Sequence, residues 1–233
     1  MTRELTSDLS VLTRLVAPAG KHVVDIGCGT GSLVRELAAL GARVTGLEIS
    51  EQQLATARER DRNSGARYVV GSAQALPLDD GSVDIAVFMR TLHHVPPSEL
   101  MAALREACRA VSQDGAVYVA EPVAAGDYFA LTRLVEDEVD VRAAAQAALE
   151  RAQEAGLERL RTVDYDVLIC VNGLDGLRDR IVSVDPRRAE IFDARIGELA
   201  AAYASHGEPG EDPVQRCFVQ PMRADLLRPR ARR

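Results

Sequence analysis

The sequence predicts an α/β fold: a doubly wound, mainly parallel sheet with helical insertions in its second half. Three features carry that prediction. Apolar runs alternate with amphipathic helical patterns through the first half of the chain. The runs are continuous rather than alternating, as in Val83-Asp84-Ile85-Ala86-Val87-Phe88 and Ala116-Val117-Tyr118-Val119-Ala120, which marks strands covered on both faces. One run, Val23-Val24-Asp25-Ile26, enters the turn Gly27-Cys28-Gly29-Thr30-Gly31 and leaves it in an amphipathic segment, a strand–turn–helix unit. Right-handed crossovers then wind such a sheet in both directions. Its ligands sit beyond the carboxyl ends of the strands, where the strand order reverses.

The elements follow in order. Leu5, Leu9, Leu12, Leu15 and Val16 stand at helical spacing, and Pro18-Ala19-Gly20 stops that helix. The first strand is 23–26. A second apolar run, Val44-Thr45-Gly46-Leu47, ends in Glu48. Ser50 with Gln53 reads as a capping box for a helix running to about Asn63. Asp79-Asp80-Gly81 turns into the strand from Val83, and Pro96-Pro97 opens the next helix. Asp114-Gly115 turns into the strand 116–120. Residues 127–154 show one long helical pattern, with Leu131, Leu134, Val135, Val141, Ala145, Ala148 and Leu149 as its apolar stripe. Val163, Tyr165, Val167, Ile169 and Val171 alternate as a strand over 161–171. A helix with Asp185 as cap and Pro186 in its first turn comes next. Gly207–Pro213 is an exposed return loop, and Val214–Leu227 the closing strand.

Glycine lets the turn bend sharply and leaves bare backbone for a ligand, and the following helix begins with unpaired N–H groups. The spacing is G-x-G-x-G preceded by Asp25. A dinucleotide fingerprint needs a glycine where Ser32 stands, and no Gly-Lys-Ser/Thr of a P-loop follows. A ligand-free tight turn explains the glycines, but not the acid, Glu48, at the end of the next strand.

The nonapeptide 23–31 resembles the first motif of class I S-adenosylmethionine-dependent methyltransferases. Three further stretches resemble that family in the same order: Glu48 closing the second strand, Gly71-Ser72-Ala73-Gln74-Ala75-Leu76-Pro77-Leu78 as the adenine-side loop, and Val83–Val95 with its Met89-Arg90-Thr91-Leu92-His93-His94 as the fourth-strand motif. The resemblance covers residues 20–121. It implies a seven-stranded Rossmann-like methyltransferase fold with S-adenosyl-L-methionine as cofactor, contacted by Asp25, Gly27, Cys28, Gly29, Gly31, Glu48, Ile49, Ser72, Ala73, Gln74 and Met89. Glu48 would accept both ribose hydroxyls. The family usually carries Asp where this chain has Ser72, which leaves the Ala73 amide for the adenine.

A chain of 233 residues suits one domain with additions. The expected organisation is a single domain over 1–233, with an N-terminal cap helix over 1–17. Helical insertions over 122–155 and 173–210 would form the acceptor pocket. Aromatics are 4% and tryptophan is absent, so Leu, Val, Ile and Ala build the core. A net charge of −7 argues against a nucleic-acid footprint. The basic stretch Arg228–Arg233 reads as a solvated tail. Cys28, Cys108, Cys170 and Cys217 form no C-x-x-C pair and have no histidine at a zinc spacing; they read as free thiols in a reducing cytoplasm, with no metal expected. With no leader-like or 18-residue apolar span, the chain is expected to be cytoplasmic, off the membrane, and a monomer or homodimer.

The cofactor would bring the reactivity, leaving alignment, a dry pocket and a base to the protein. His93 and His94 follow the fourth strand. One of them would take the acceptor's proton, an imidazole's ordinary pKa of about 6.5 suiting the task; the alternative is a structural turn. Glu121 ends the fifth strand and either faces the pocket as a catalytic carboxylate or shapes the exit before Pro122. Arg90 and Tyr128 are candidate substrate contacts, Tyr128 and Phe129 being equally readable as core. Glu138 interrupts an apolar stripe, so it either meets the substrate or pairs with Arg133 or Arg142. The resulting reading is methyl transfer to an O or N atom of a small-molecule acceptor. The alternatives are a protein or RNA methyltransferase and a catalytically silent S-adenosylmethionine-binding regulator.

Overall fold

The computed structural model describes residues 3–230. In chain order these form β1 (Glu4–Leu5), α1 (Asp8–Leu15), β2 (His22–Ile26), α2 (Ser32–Ala39), β3 (Arg43–Glu48), α3 (Glu51–Arg60), β4 (Arg67–Val70), β5 (Val83–Met89), a 3₁₀ turn (Leu92–His94), α4 (Leu100–Ala110), β6 (Val111–Pro122), α5 (Gly126–Thr132), α6 (Val139–Glu150), a second 3₁₀ turn (Ala152–Ala155), β7 (Leu157–Asn172), α7 (Gly173–Val182), α8 (Arg188–Ala194), α9 (Ile196–Ser205), β8 (Glu208–Pro209) and β9 (Gln215–Pro229). They divide into two compact units. The larger holds Asp8–Glu121, Ala143–Val163 and the described residues after Met222; the smaller holds the described residues before Asp8, Pro122–Arg142 and Asp164–Met222.

The larger unit carries the expected seven strands, in the order β7-β9-β6-β5-β2-β3-β4. From β6 to β4 every pair is parallel, with Ile26 opposite both Leu47 and Phe88, and Phe88 opposite Val119. The strand order reverses at β2: β3 lies on one side of it and β5 on the other. Ile26, Leu47, Phe88, Leu104, Val117 and Val119 sit in one buried cluster, while Val23, Val87 and Tyr118, which point to the opposite face, are buried as well; this is the two-sided burial that the continuous apolar runs foretold. Ser50 caps α3 through its hydroxyl, which accepts the Gln53 N–H at 3.3 Å, as expected.

In the smaller unit β1 runs parallel to β7, and β8 antiparallel to β9. The Tyr203 hydroxyl ties the end of β7 and the residue before β9 to α9, donating toward Val171 O and Val214 O at 3.0 Å and accepting from Gly173 N at 3.0 Å. Phe192, Leu199 and Phe218 are fully buried there.

Several expectations are corrected. The helix read over 127–154 is broken: α5 stops at Thr132, and Asp137 turns its carboxylate onto the Val139 N–H at 3.2 Å, opening a new helix. The helix expected from Pro186 starts at Arg188, because Asp185 accepts the Arg187 N–H at 2.9 Å and holds a tight turn first. The tail read from Arg228 is partly strand. Arg228 lies in β9 and pairs with Glu158 at 3.0 Å, and the Arg230 N–H donates to Gly156 O; residues 231–233 lie outside the described residues. Residues 1 and 2 of the expected cap also lie outside them, and its helix is α1. Cys170 and Cys217 are not free thiols: they form a disulfide between neighbouring strands, a pairing across 47 residues that sequence spacing alone does not reveal.

Candidate active site

The glycine turn is built by backbone that only glycine adopts cheaply. Gly27, Gly29 and Gly31 have φ of 75°, 53° and 75°. The Gly27 and Cys28 N–H groups both donate to Leu47 O, at 2.7 and 2.9 Å, which fixes the turn against the end of β3. A Cβ on Gly27 would lie 2.2 Å from Thr91 Cγ2, and one on Gly31 would lie 2.7 Å from the Tyr68 hydroxyl. A Cβ on Gly29 would meet only the tip of Gln53, at 2.9 Å. Gly31 precedes α2 without any side-chain cap, so the first-turn N–H groups are available to a ligand.

Glu48 closes this turn. One carboxylate oxygen accepts the Gly29 N–H at 3.0 Å, and the other accepts Ile49 N and Ser50 N at 2.9 and 3.0 Å. Its carbonyl accepts the Gly71 N–H at 3.1 Å, which joins the 71–78 loop to the same strand end. In that loop Ser72 and Ala75 make a tight turn, and Ala73 is buried. Asp25, also buried, is pushed up to about 7 by loss of solvent and by the charges of Glu48 and Glu36. Burial, then Asp25 and Glu48, raise the Cys28 thiol far above its ordinary range, so it is an inert side chain within the turn. Ile49 is 72% exposed beside Glu48.

The segment after β5 is held by Glu121. This carboxylate is 1% exposed; it accepts Thr91 N at 3.0 Å, Leu92 N at 2.8 Å and the His93 ring through Nδ1. Its oxygens thus accept donors of the turn after β5 and of the His93 ring. Because a carboxylate only accepts, Nδ1 of His93 bears the hydrogen, which makes Nε2 the basic nitrogen of the neutral ring. His93 is buried, His94 is exposed, and their rings lie 4.0 Å apart.

Arg90 is the one non-glycine residue with positive φ among the described residues, at 56°. That strained backbone follows Met89 at the end of β5. Its guanidinium meets Asp8 of α1 at 2.6 Å.

Two further candidates lie in the smaller unit. Glu138 pairs with Arg142, at 2.7 Å through Nη2 and 3.1 Å through Nε, while Arg133 pairs with Asp137 instead. Arg142 also lies 4.8 Å from the Phe129 ring centre and donates to Val123 O. Glu138 thus forms the ion pair foreseen with Arg142, and Arg188 Nη2 lies 3.7 Å from its other carboxylate oxygen. The Tyr128 hydroxyl accepts from Arg180 Nε at 3.0 Å.

Sequence reasoning missed Thr91 and Tyr68. Thr91 packs on Gly27 and donates its hydroxyl to Met89 O at 3.0 Å; Tyr68 packs under Gly31 and donates to Asp61 at 2.8 Å. A β-branched residue two positions after a strand end and a lone tyrosine in a strand were the available signals.

Residues 24–119 match the model of a family described as methyltransferase domain. A ubiquinone biosynthesis O-methyltransferase of Paraburkholderia xenovorans is 40% identical over 99 residues, 41% of this chain and 41% of that protein. The chain thus spans about two fifths of the length of such relatives. In fold, a Bacillus halodurans protein matches 97% of this chain and all of its own, with a TM-score of 0.66 at 21% identity. The [4+2]-cyclase SpnF matches 96% of this chain and 80% of its own, with a TM-score of 0.63 at 20% identity.

Proposed function

We propose that this chain, whose residues 24–119 match the model of the methyltransferase-domain family, is an S-adenosylmethionine-dependent methyltransferase that acts on an O or N atom of a small molecule. One observation carries the reading: the Glu48 carboxylate is joined to the Gly29 amide where the strand order reverses, beside the positive-φ glycine turn and the uncapped start of α2. The donor set suits a nucleoside with a zwitterionic tail. Glu48 would accept ribose hydroxyls, with Ile49 beside it. Ser72, Ala73 and Gln74 would take the adenine side. Asp25, Gly27, Cys28, Gly29, Gly31 and Met89 would surround the other end. When bound, the cofactor supplies a methyl group on a sulfonium centre.

What remains for the chain is alignment and a proton. His93, held through Nδ1 by Glu121, would receive the acceptor's proton at Nε2, the base-and-orienter arrangement that general-base catalysis uses. The acceptor class draws support from the Paraburkholderia relative, a ubiquinone biosynthesis O-methyltransferase. No nucleic acid is proposed as partner, on the net charge of −7. No helix among the described residues is long and apolar enough to cross a membrane. A monomer or homodimer is proposed with these; the cytoplasmic expectation rested in part on free thiols, and the Cys170–Cys217 disulfide removes that support.

Calorimetry tests the reading. S-adenosylmethionine and S-adenosylhomocysteine should bind, and NAD should not. Glu48→Ala should weaken binding by roughly 1.5–3 kcal/mol, the scale of hydrogen bonds to a charged group. Wild-type affinity in that variant would sink the ribose assignment. The cyclase SpnF shares the fold, so binding without turnover on any O or N acceptor of a broad panel would favour a catalytically silent protein.

A further inference from the structure

We infer that Arg109 and Glu106, both on α4, are positioning residues for the cofactor, fixing the 71–81 loop from the side opposite the ligand; the inference rests on the cofactor reading above. Every donor edge of Arg109 is spent on this loop or on Glu106. Nη1 donates to Leu78 O and Asp80 Oδ1, both at 2.7 Å. Nη2 donates to Leu76 O at 3.1 Å and to Glu106 at 2.7 Å, and Nε donates to Glu106 at 2.8 Å. The Arg109 carbonyl accepts the Gly81 N–H at 2.9 Å. Glu106 completes the clamp by accepting the Leu76 N–H at 2.9 Å. Two helix turns before Glu106, at the residue that precedes α4, Glu99 accepts from the Gln74 side-chain amide.

An exposed ion pair alone contributes little. What sets this pair apart is its grip on main-chain groups: Leu76 is held at both its N–H and its carbonyl. A planar guanidinium spans four acceptors at fixed angles, which a lysine ammonium cannot do. The fork holds Glu106 below the ordinary carboxylate range, and Glu106 and Asp80 raise Arg109 in return. The loop needs such a clamp. Ser72 offers only a short hydroxyl, so a base held here would rely on main-chain groups of the loop, and their placement is set by what holds the loop.

Binding of S-adenosylhomocysteine by calorimetry, with hydrogen exchange read over residues 72–81, tests this. Arg109→Ala should weaken binding on the order of tenfold, the scale of one charge-assisted hydrogen bond. Exchange should accelerate in 72–81 while the strands keep their protection. Arg109→Lys should fall between Arg109→Ala and the wild type. If Arg109→Ala does not fold, Glu106→Gln carries the test, with weaker binding and faster exchange at Leu76. Unchanged affinity in a folded Arg109→Ala overturns the inference, as does affinity lost with no change of exchange in the loop. A wild-type protein that does not bind S-adenosylhomocysteine defeats the cofactor reading instead, and the exchange data then still report whether the clamp exists.

Discussion

The Glu121 carboxylate holds His93 by its ring Nδ1 while it also takes the N–H groups of Thr91 and Leu92. A single buried charge therefore builds the turn after β5 and orients the imidazole in it. Removing either partner should have a different signature. His93→Ala should lower kcat by about 10²–10⁴, the range of general-base catalysis. Glu121→Ala should cost about 3–5 kcal/mol of stability, because several buried donors lose their acceptor at once. His94, exposed, should matter less to turnover than His93. Kinetics and thermal melts of the three variants separate the roles, and a His93→Ala enzyme within tenfold of wild type would end the base assignment.

The glycines at 27 and 29 should fail differently when substituted. Both sit at positive φ, where a side chain costs about 1–2 kcal/mol. At Gly27 a Cβ also collides with Thr91, which is fixed by its own hydrogen bond, whereas at Gly29 it displaces only the flexible end of Gln53. Gly27→Ala should therefore lower the melting temperature more than Gly29→Ala. Gly29→Val should stay folded by circular dichroism and lose S-adenosylhomocysteine binding. Retained binding would mean the cofactor lies elsewhere.

The parts of this site that were legible in the sequence are those whose signal is local. The glycine turn, Glu48 seventeen residues after Gly31, and the Ser50 cap each declare themselves within a few positions, and the parallel strands show as unbroken apolar runs. What was illegible depends on long-range pairing. Nothing near Glu121 says that it reaches back to Thr91 and His93, 28 to 30 residues earlier. The Arg90 contact with Asp8 spans 82 residues. Glu138 was recognised as anomalous on an apolar stripe, and Arg142 stood at the i+4 spacing that its pairing uses, but Arg133 was a rival until the structure showed it held by Asp137.

Asp25 makes stability depend on pH in a stated direction. Its folded value, about 7, lies above the ordinary 3.8, so between those two the folded state binds more protons than the unfolded one. The stability slope is then negative: this contribution is fully present below about pH 4 and is lost as pH rises through about 7. Other carboxylates, such as Asp61 and Glu106, are lowered and act in the opposite sense, so the difference between proteins is the clean readout. Asp25→Asn should gain stability relative to wild type on going from pH 4.5 to pH 8, by on the order of a few kcal/mol. Equal pH profiles for the two proteins would show that Asp25 is ionised throughout.

The Cys170–Cys217 disulfide makes a prediction that separates the structure from the sequence-based expectation of free thiols. Cys28 and Cys108 lie outside it, so the unfolded, unreduced protein should expose two reactive thiols, and four after reduction. A bridge across 47 residues restricts the unfolded chain, which chain-entropy arguments put at up to about 4 kcal/mol. Reductant should lower the melting temperature of the wild type accordingly. Cys170→Ser should already melt at the lower temperature and be insensitive to reductant, because its bridge is gone before the experiment starts. Tyr203 still ties the same region through Val171 and Val214, so both reduced wild type and variant should remain folded at room temperature. Four thiols titrating before reduction, with a melt unmoved by reductant, would show that the two cysteines face each other as thiols in solution.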